Sequence, residues 1–255
     1  MSRSLTILLT AAVLLAAGAA VAAAGSLVGT PGDDALTAAP GEDLFGEAGD
    51  DTLTGAAGGG YLEGGPGNDA LLGGAGPDLL LGGTGDDRID GAAGDDAIYA
   101  GPGADESLGG PGADSIWTQG GDDRVFGGSG GDSIRVAGGA VFVDGGSGRD
   151  RIWAAGGSGT LVGRSGGDLI VAVDGDYTVR GGPGRDRIRT GDGADRISGG
   201  PDADGIASGG GDDVLDLRDG VRDRAFCGPG ADTVYADPFD ILRDCETVIV
   251  TRAGR

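Results

Sequence analysis

The sequence contains no histidine and no lysine, only two cysteines, and only 4% aromatic residues among its 255 positions. Without histidine, a Ser-His-Asp triad, a His-paired cysteine nucleophile and an HExxH zinc site are all excluded. The scarcity of aromatic residues beside 60 glycines is not the composition of an ordinary globular core. The glycines have no three-residue period, which excludes collagen.

The chain is strongly acidic, with 41 Asp and Glu against 18 basic residues and a formal net charge of -23. Such a charge disfavours nucleic acid or an anionic membrane surface as a partner and favours cations. An acidic chain that is disordered, at least without metal, remains an open alternative.

The first 24 residues have the pattern of a targeting segment. Arg3 precedes an apolar run from Leu5 to Val21, and Ala22 to Ala24 supply small residues before Gly25. We expect residues 1–24 to be a secretory signal peptide cleaved near Ala24. An uncleaved membrane anchor is the alternative.

A nine-residue unit then repeats along most of the chain. GGPGNDALL, GGAGPDLLL and GGTGDDRID follow one another from Gly64 to Asp90. Position four is glycine, position six a carboxylate and position eight aliphatic, and the frame runs from Gly29 to Gly211 with one eight-residue unit ending at Phe45. Position eight reads Leu36, Phe45, Leu53, Leu62 and Leu71 at the start and Ile188, Ile197, Ile206 and Leu215 at the end. The period predicts a β-solenoid in which position eight points inward from a short strand and the glycines form the turn.

Seven units fit GGxGxDxUx completely, among them GGPGADSIW at Gly109–Trp117 and GGPGRDRIR at Gly181–Arg189. This pattern resembles the hemolysin-type (RTX) calcium-binding repeats over about three quarters of the chain. The resemblance implies an all-β, right-handed parallel β-roll with two nonapeptides per coil. It also implies that several Ca²⁺ ions bind between turns stacked on the same side.

If two units form a coil, residues 18 apart stack, and the position-six residues fall into two rows, named here the first edge and the second edge. The first edge has Val141, Gly159 and Tyr177 in place of aspartate, and the second edge starts at Gly60. The remaining members are the predicted calcium ligands: Asp51, Asp69, Asp87, Asp105, Asp123, Asp195 and Asp213 on the first edge, and Asp78, Asp96, Asp114, Asp132, Asp150, Asp168, Asp186 and Asp204 on the second.

These rows predict an unbroken calcium ladder from Asp78 to Asp204 and a gap on the first edge between Asp123 and Asp195. Carboxylates stacked about 4.8 Å apart repel each other by about 1 kcal/mol even in water. Calcium relieves this repulsion because it accepts six to eight oxygens, including backbone carbonyls, in flexible geometry. The gap is either simple repeat decay or an edge held by apolar and glycine contacts that serves as a contact surface.

Position nine places both tryptophans in one outward stripe, with Arg135 between Trp117 and Trp153. One interpretation is stabilising stacking along the sheet, with cation–π contacts from Arg135. The other is a platform for a glycan or a protein partner.

The frame decays after Asp216, although Asp223 and Asp232 fit a resumed frame. We expect a β-roll over residues 25–216 and a C-terminal cap over 217–255, because a solenoid needs its last coil covered. Cys227 and Cys245 lie in this cap, and in an exported protein we expect them to form a disulfide. Free thiols or a soft-metal site are the alternatives.

The sequence therefore predicts a secreted, extracellular calcium-binding protein that folds when it binds calcium outside the cell. A surface-associated adhesin or matrix scaffold that uses the β-roll as a rigid rod is the alternative. An enzyme is not expected, since aspartates repeated every 18 residues suit a metal ladder and not a single active site.

Overall fold

A computed structural model describes residues 25–251, which form only β-strands and turns. The strands build two parallel sheets of 13 strands each. No helix within this range has the length and apolar character needed to cross a membrane. The predicted signal peptide, residues 1–24, lies outside the described residues.

Odd-numbered strands form sheet A and even-numbered strands form sheet B. Sheet A consists of β1 (Ser26–Val28), β3 (Asp43–Phe45), β5 (Tyr61–Pro66), β7 (Leu79–Thr84), β9 (Ala97–Tyr99), β11 (Ser115–Gln119), β13 (Ser133–Ala137), β15 (Arg151–Ala155), β17 (Leu169–Val173), β19 (Arg187–Arg189), β21 (Gly205–Ala207), β23 (Arg224–Phe226) and β25 (Ile241–Arg243). Sheet B consists of β2 (Ala35–Thr37), β4 (Thr52–Thr54), β6 (Ala70–Gly74), β8 (Arg88–Ala92), β10 (Glu106–Pro111), β12 (Arg124–Ser129), β14 (Ala140–Ser147), β16 (Ser158–Val162), β18 (Tyr177–Arg180), β20 (Arg196–Ser198), β22 (Val214–Asp216), β24 (Thr233–Ala236) and β26 (Thr247–Val250).

Through most of the chain each strand pairs with the strand 18 residues later, as Leu80 pairs with Ile98 and Ile98 with Ile116. These position-eight side chains are fully buried and form a core one residue wide between the sheets. The prediction of a parallel β-solenoid with two nonapeptides per coil is confirmed.

Glycine is needed in the turns for conformation and for space. Gly67 has a φ of 148°, and a Cβ on it would collide with the backbone of Gly49 in the coil below. Position four is therefore glycine in nearly every unit; Asp202, with a φ of 95°, is an exception.

The frame of the early short unit differs from the sequence prediction. Leu44, not Phe45, is the buried position-eight residue, and it pairs with Leu27 and Leu62. Phe45 instead points outward and packs beside Tyr61, with 5.3 Å between ring centroids. Strand alternation allows only one of two adjacent residues to face the core.

The last strands, β23 to β26, continue the same two sheets with altered spacing. Arg224 pairs with Ile241, and Thr233 pairs with Thr247. The predicted disulfide between Cys227 and Cys245 is present, with 5.2 Å between the two Cα atoms.

Candidate metal centre

The two rows of aspartates lie in the turns directly before the strands. Asp69 precedes β6 of sheet B, and Asp78 precedes β7 of sheet A, so consecutive units place their carboxylates on opposite edges of the solenoid. Val141 follows Asp123 on the first edge, since Phe142 donates its backbone N–H to the Asp123 carbonyl at 2.8 Å. All 15 predicted ligands are buried, each at most 4% exposed.

Each carboxylate of the two rows except Asp78, both of whose oxygens are unpartnered, uses one oxygen to hold the coil before it. The backbone N–H of Asp78 donates to Oδ1 of Asp96, and that of Asp96 donates to Oδ1 of Asp114, both at 2.8 Å. The same bond links Asp69 to Asp87 on the first edge. The rows are therefore built into the backbone hydrogen-bond network.

The second oxygen, Oδ2, has no hydrogen-bond partner in any of the 15 predicted ligands. A buried carboxylate oxygen without a partner is costly, because it has lost water and gained no donor. A repeated set of such oxygens indicates that a ligand from solution completes the turn.

The unpartnered Oδ2 atoms face a space beside the glycine at position one. A Cβ on Gly163 would stand 2.5 Å from Oδ2 of Asp168 and 2.7 Å from the carbonyl oxygen of Gly181, one coil further on. We call this arrangement a glycine cradle. It recurs on the second edge at Gly73, Gly91, Gly109, Gly127, Gly145, Gly163 and Gly181, and on the first edge at Gly46, Gly64 and Gly82.

The donor set of a glycine cradle fits calcium. Its oxygens are a carboxylate oxygen and backbone carbonyls from adjacent coils, which are the hard ligands that calcium prefers. Within residues 25–251 no group of three or more Asp, Glu, His or Cys side chains could hold a metal by itself. Backbone carbonyls must therefore supply much of any coordination.

Burial raises the pKa of most of the row carboxyls, and stacked neighbouring carboxylates add to the shift. Hydrogen bonds from backbone N–H groups offset only part of it. The pKa is about 7 at Asp87, Asp114, Asp150 and Asp204. A positive ion bound beside such a row would stabilise the ionised carboxylates.

The first edge differs because side chains fill its cradles from Ala100 onward. Position one there carries Ala100, Thr118, Val136, Ala154, Ala172, Thr190 and Ser208, whereas the second edge keeps glycine from Gly73 to Gly199. The hydroxyl of Thr190 donates to the Ser208 carbonyl at 2.6 Å, and that of Ser208 donates to the Cys227 carbonyl at 3.0 Å. Carbonyls that point into cradles on the second edge are here satisfied by the chain itself.

The middle of the first edge is a buried apolar stretch, formed by Val136, Val141, Ala154, Ala172 and Tyr177. All five are at most 4% exposed. The Tyr177 hydroxyl donates to the carbonyl of Gly156 at 2.6 Å. The missing carboxylates are thus replaced by interior packing, and these side chains are not available as a contact surface.

Sequence reasoning recognised position six but missed position one, whose side chains close the cradles beside Asp105, Asp123, Asp195 and Asp213. Reading position one at 18-residue intervals would have found them. It also left Asp223 and Asp232 out of the ligand set, although Asp204 and Asp213 donate backbone N–H groups to them at 2.8 and 3.0 Å. The spacing of 19 residues at these two steps hid that continuation.

The outward stripe on sheet A is partly a stacking feature. Tyr99 and Trp117 stack with 4.6 Å between centroids, and Trp117, Arg135 and Trp153 lie in register. The cation–π contacts of residues 25–251 join Arg124 to Phe142 and Arg218 to Tyr235, and do not involve Arg135. Trp153 is 48% exposed. A glycan or protein partner at this stripe stays a prediction.

Comparison with known families agrees with this geometry. The profile of the RTX calcium-binding nonapeptide repeat, four copies long, matches at residues 45–80, 63–98, 72–107, 99–134, 126–161, 162–189 and 180–215. No curated protein matches the chain.

Proposed function

Because the chain belongs to the family of RTX calcium-binding nonapeptide repeat proteins, we propose that its glycine cradles bind calcium and that binding drives folding. The ligands are Oδ2 of the aspartates whose position-one glycine also faces a carbonyl oxygen of the next coil, together with those carbonyls. These aspartates are Asp51, Asp69 and Asp87 on the first edge and Asp78, Asp96, Asp114, Asp132, Asp150, Asp168 and Asp186 on the second.

The observation that carries this proposal is the pairing of roles within each aspartate. One carboxylate oxygen accepts a hydrogen bond from the previous coil, in all of these aspartates but Asp78, and the other is buried without a partner. Calcium supplies the charge and coordination that the unpartnered oxygens lack. Without it, like charges remain stacked inside the turns, so the folded state loses stability.

We propose further that the protein acts outside the cell, where calcium is abundant, after export directed by residues 1–24. A metal that binds the folded state and not the unfolded chain stabilises folding more as its free concentration rises, by a fixed free energy for each tenfold increase once the site is saturated. Export of an unfolded chain followed by folding outside is consistent with this linkage.

Circular dichroism of the chain beginning at Gly25 tests the proposal. The β-sheet signal is expected to be weak in EGTA, to appear with millimolar calcium, and to need far more magnesium, since Mg²⁺ keeps its waters and demands an octahedron. A sheet signal that persists unchanged in EGTA would refute calcium-coupled folding. Equal responses to magnesium and calcium would refute the assignment of the ion.

A scaffold role is a second candidate, favoured by the exposed Trp153 on a long and regular sheet. Binding to immobilised glycans or matrix proteins that is lost in Trp117→Ala and Trp153→Ala variants would support it. We propose no catalytic role, because the repeated aspartates are committed to holding coils together.

A further inference from the structure

Six arginines line one groove at the C-terminal part of the second edge. Arg149, Arg185 and Arg222 occupy position five of their turns, and Arg151, Arg187 and Arg224 begin strands β15, β19 and β23. They surround an open space of about 780 Å³, which Asp150, Asp168, Asp186 and Asp204 of the second edge also line. We call this the arginine groove.

These arginines make few contacts with the rest of the protein, although the charge of Arg149 partly offsets the rise in the pKa of Asp168 that burial causes. All six are exposed. The ion pairs found within residues 25–251 are Arg88 with Glu106, Arg164 with Asp144, and Arg218 with Asp216, so none involves the groove. Arg222 alone is held, by one hydrogen bond of 3.2 Å from its Nε to the Phe239 carbonyl.

The concentration of positive charge is unusual for this chain. Only Arg88 and Arg124 occur between residues 25 and 134, in a protein with a net charge of -23. Free guanidinium groups gathered in one groove bind anions well, since each presents a planar fork that matches a carboxylate.

The arginines recur on alternate coils. Arg151 pairs with Leu169, Leu169 with Arg187, and Arg187 with Gly205. Coils are about 4.8 Å apart, so the arginine pairs lie about 10 Å apart along the solenoid axis. Smaller residues at position five of the intervening coils, Gly167 and Ala203, leave the groove continuous. This geometry suits a linear ligand with regularly spaced negative charges.

Aromatic rings flank the arginines on the same face of sheet A. Trp153 lies two residues after Arg151, and Phe226 lies two residues after Arg224, so strand alternation points each pair to one side. The two rings are 48% and 47% exposed. Exposed rings beside charged forks offer stacking surfaces for the apolar faces of sugars.

We propose that the arginine groove binds a linear acidic polysaccharide, one that carries carboxylates on its sugars. DNA is disfavoured, because its charge of about one per 1.7 Å would be repelled by the acidic remainder of the protein. An anionic membrane is disfavoured for the same reason. A chain of uronic acids carries fewer charges per unit length than DNA and presents apolar sugar faces to the aromatic rings.

The test measures binding of a short, soluble oligogalacturonate to the full mature chain in millimolar calcium by isothermal titration calorimetry, with circular dichroism on the same samples to verify folding. Its methyl ester, which has the same sugars without charge, is the ligand control. Arg185→Gln with Arg187→Gln is expected to raise Kd roughly three- to thirty-fold. The matched control, Arg180→Gln with Arg196→Gln on sheet B, removes the same charge outside the groove and is expected to change Kd less than about twofold.

The Trp153→Ala variant separates a sugar ligand from any other polyanion. It is expected to weaken oligogalacturonate binding while leaving poly-glutamate binding unchanged. The proposal is overturned if folded protein does not bind the oligosaccharide, or if the methyl ester binds equally well. It is also overturned if both double variants lose affinity equally, or if poly-glutamate binds as tightly as oligogalacturonate and Trp153→Ala changes neither. Because folding is recorded in each sample, failure here is distinct from failure of calcium binding.

Discussion

The contrast between the two edges can be tested with two substitutions nine residues apart. Gly163 and Ala154 both occupy position one of consecutive units, but Gly163 leaves a cradle open beside Asp168 and Ala154 closes the space beside Gly159. Gly163→Ala would place a methyl group 2.5 Å from Oδ2 of Asp168 and 2.7 Å from the Gly181 carbonyl. Gly163 does not have a positive φ, so alanine is not excluded by backbone conformation.

The expected effect of Gly163→Ala follows from linkage. One ion that binds only the folded state adds about 2.7 kcal/mol to the free energy of unfolding at 100 times its Kd, and about 4.1 kcal/mol at 1,000 times. Each saturated site makes the free energy of unfolding rise by about 1.4 kcal/mol for every tenfold increase in calcium. A variant that has lost one site should therefore show a rise that is smaller by that amount. Ala154→Gly should lower stability by about 0.5 to 2 kcal/mol through backbone entropy and a lost buried methyl, at every calcium concentration alike.

Urea unfolding at two saturating calcium concentrations a decade apart measures this slope for the wild-type protein and both variants. Equilibrium dialysis gives the number of bound ions independently. If Gly163→Ala retained the wild-type slope and ion count, the glycine cradle would not be the calcium site. If Ala154→Gly reduced the slope, the first edge would bind calcium in its middle.

Three further predictions concern protons, packing and the disulfide. Burial raises the pKa of Asp150 to about 7 in the folded state, well above its unfolded value, so the metal-free fold gains stability as pH falls from about 8 towards 4; in EGTA the sheet signal should be stronger near pH 5 than near pH 8, and calcium titrations should need more calcium at the lower pH. Tyr177→Phe should lower the free energy of unfolding in urea by about 1 kcal/mol, because the hydrogen bond to the Gly156 carbonyl is lost. The number of bound calcium ions should stay the same, and a changed number would contradict this structural role. Reducing the bond between Cys227 and Cys245 should lower stability by about 3 kcal/mol and speed hydrogen exchange first in β25 and β26; uniform acceleration along the chain would argue against a local role.

The sequence predicts the solenoid well because its nine-residue period reflects a packing requirement. Aliphatic residues such as Leu80, Ile98 and Ile116 must stack to be buried, which predicts a solenoid, whereas the two units per coil followed from the resemblance to the RTX repeats. The carboxylate rows follow from the same period. The deviations arise where a single residue changes the frame, as at Leu44, or where spacing becomes 19 residues, as between Asp204 and Asp223. A period analysis cannot place such insertions, because sheet pairing and not sequence spacing determines them.

The arginine groove was not recognised from the sequence, although the same period contains it. Arg149 and Arg185 are 36 residues apart, which is two coils of 18 residues, so reading position five at that interval places them on one edge. The aromatic stripe, by contrast, was recognised from position nine. Its exposed member, Trp153, adjoins the groove through Arg151.

The buried apolar stretch on the first edge also protects the protein from folding out of register. A loop-out of nine residues would preserve the repeat frame, the glycine turns and the buried aliphatic row, but it would exchange the two edges for every following coil. Val141, which now adjoins Asp123 and Gly159, would then adjoin Asp168. Burying a carboxylate against apolar side chains with no cradle beside it costs about 1 to 3 kcal/mol. In a chain of nearly identical units, the residues that broke the pattern are the ones that distinguish one alignment of the coils from another.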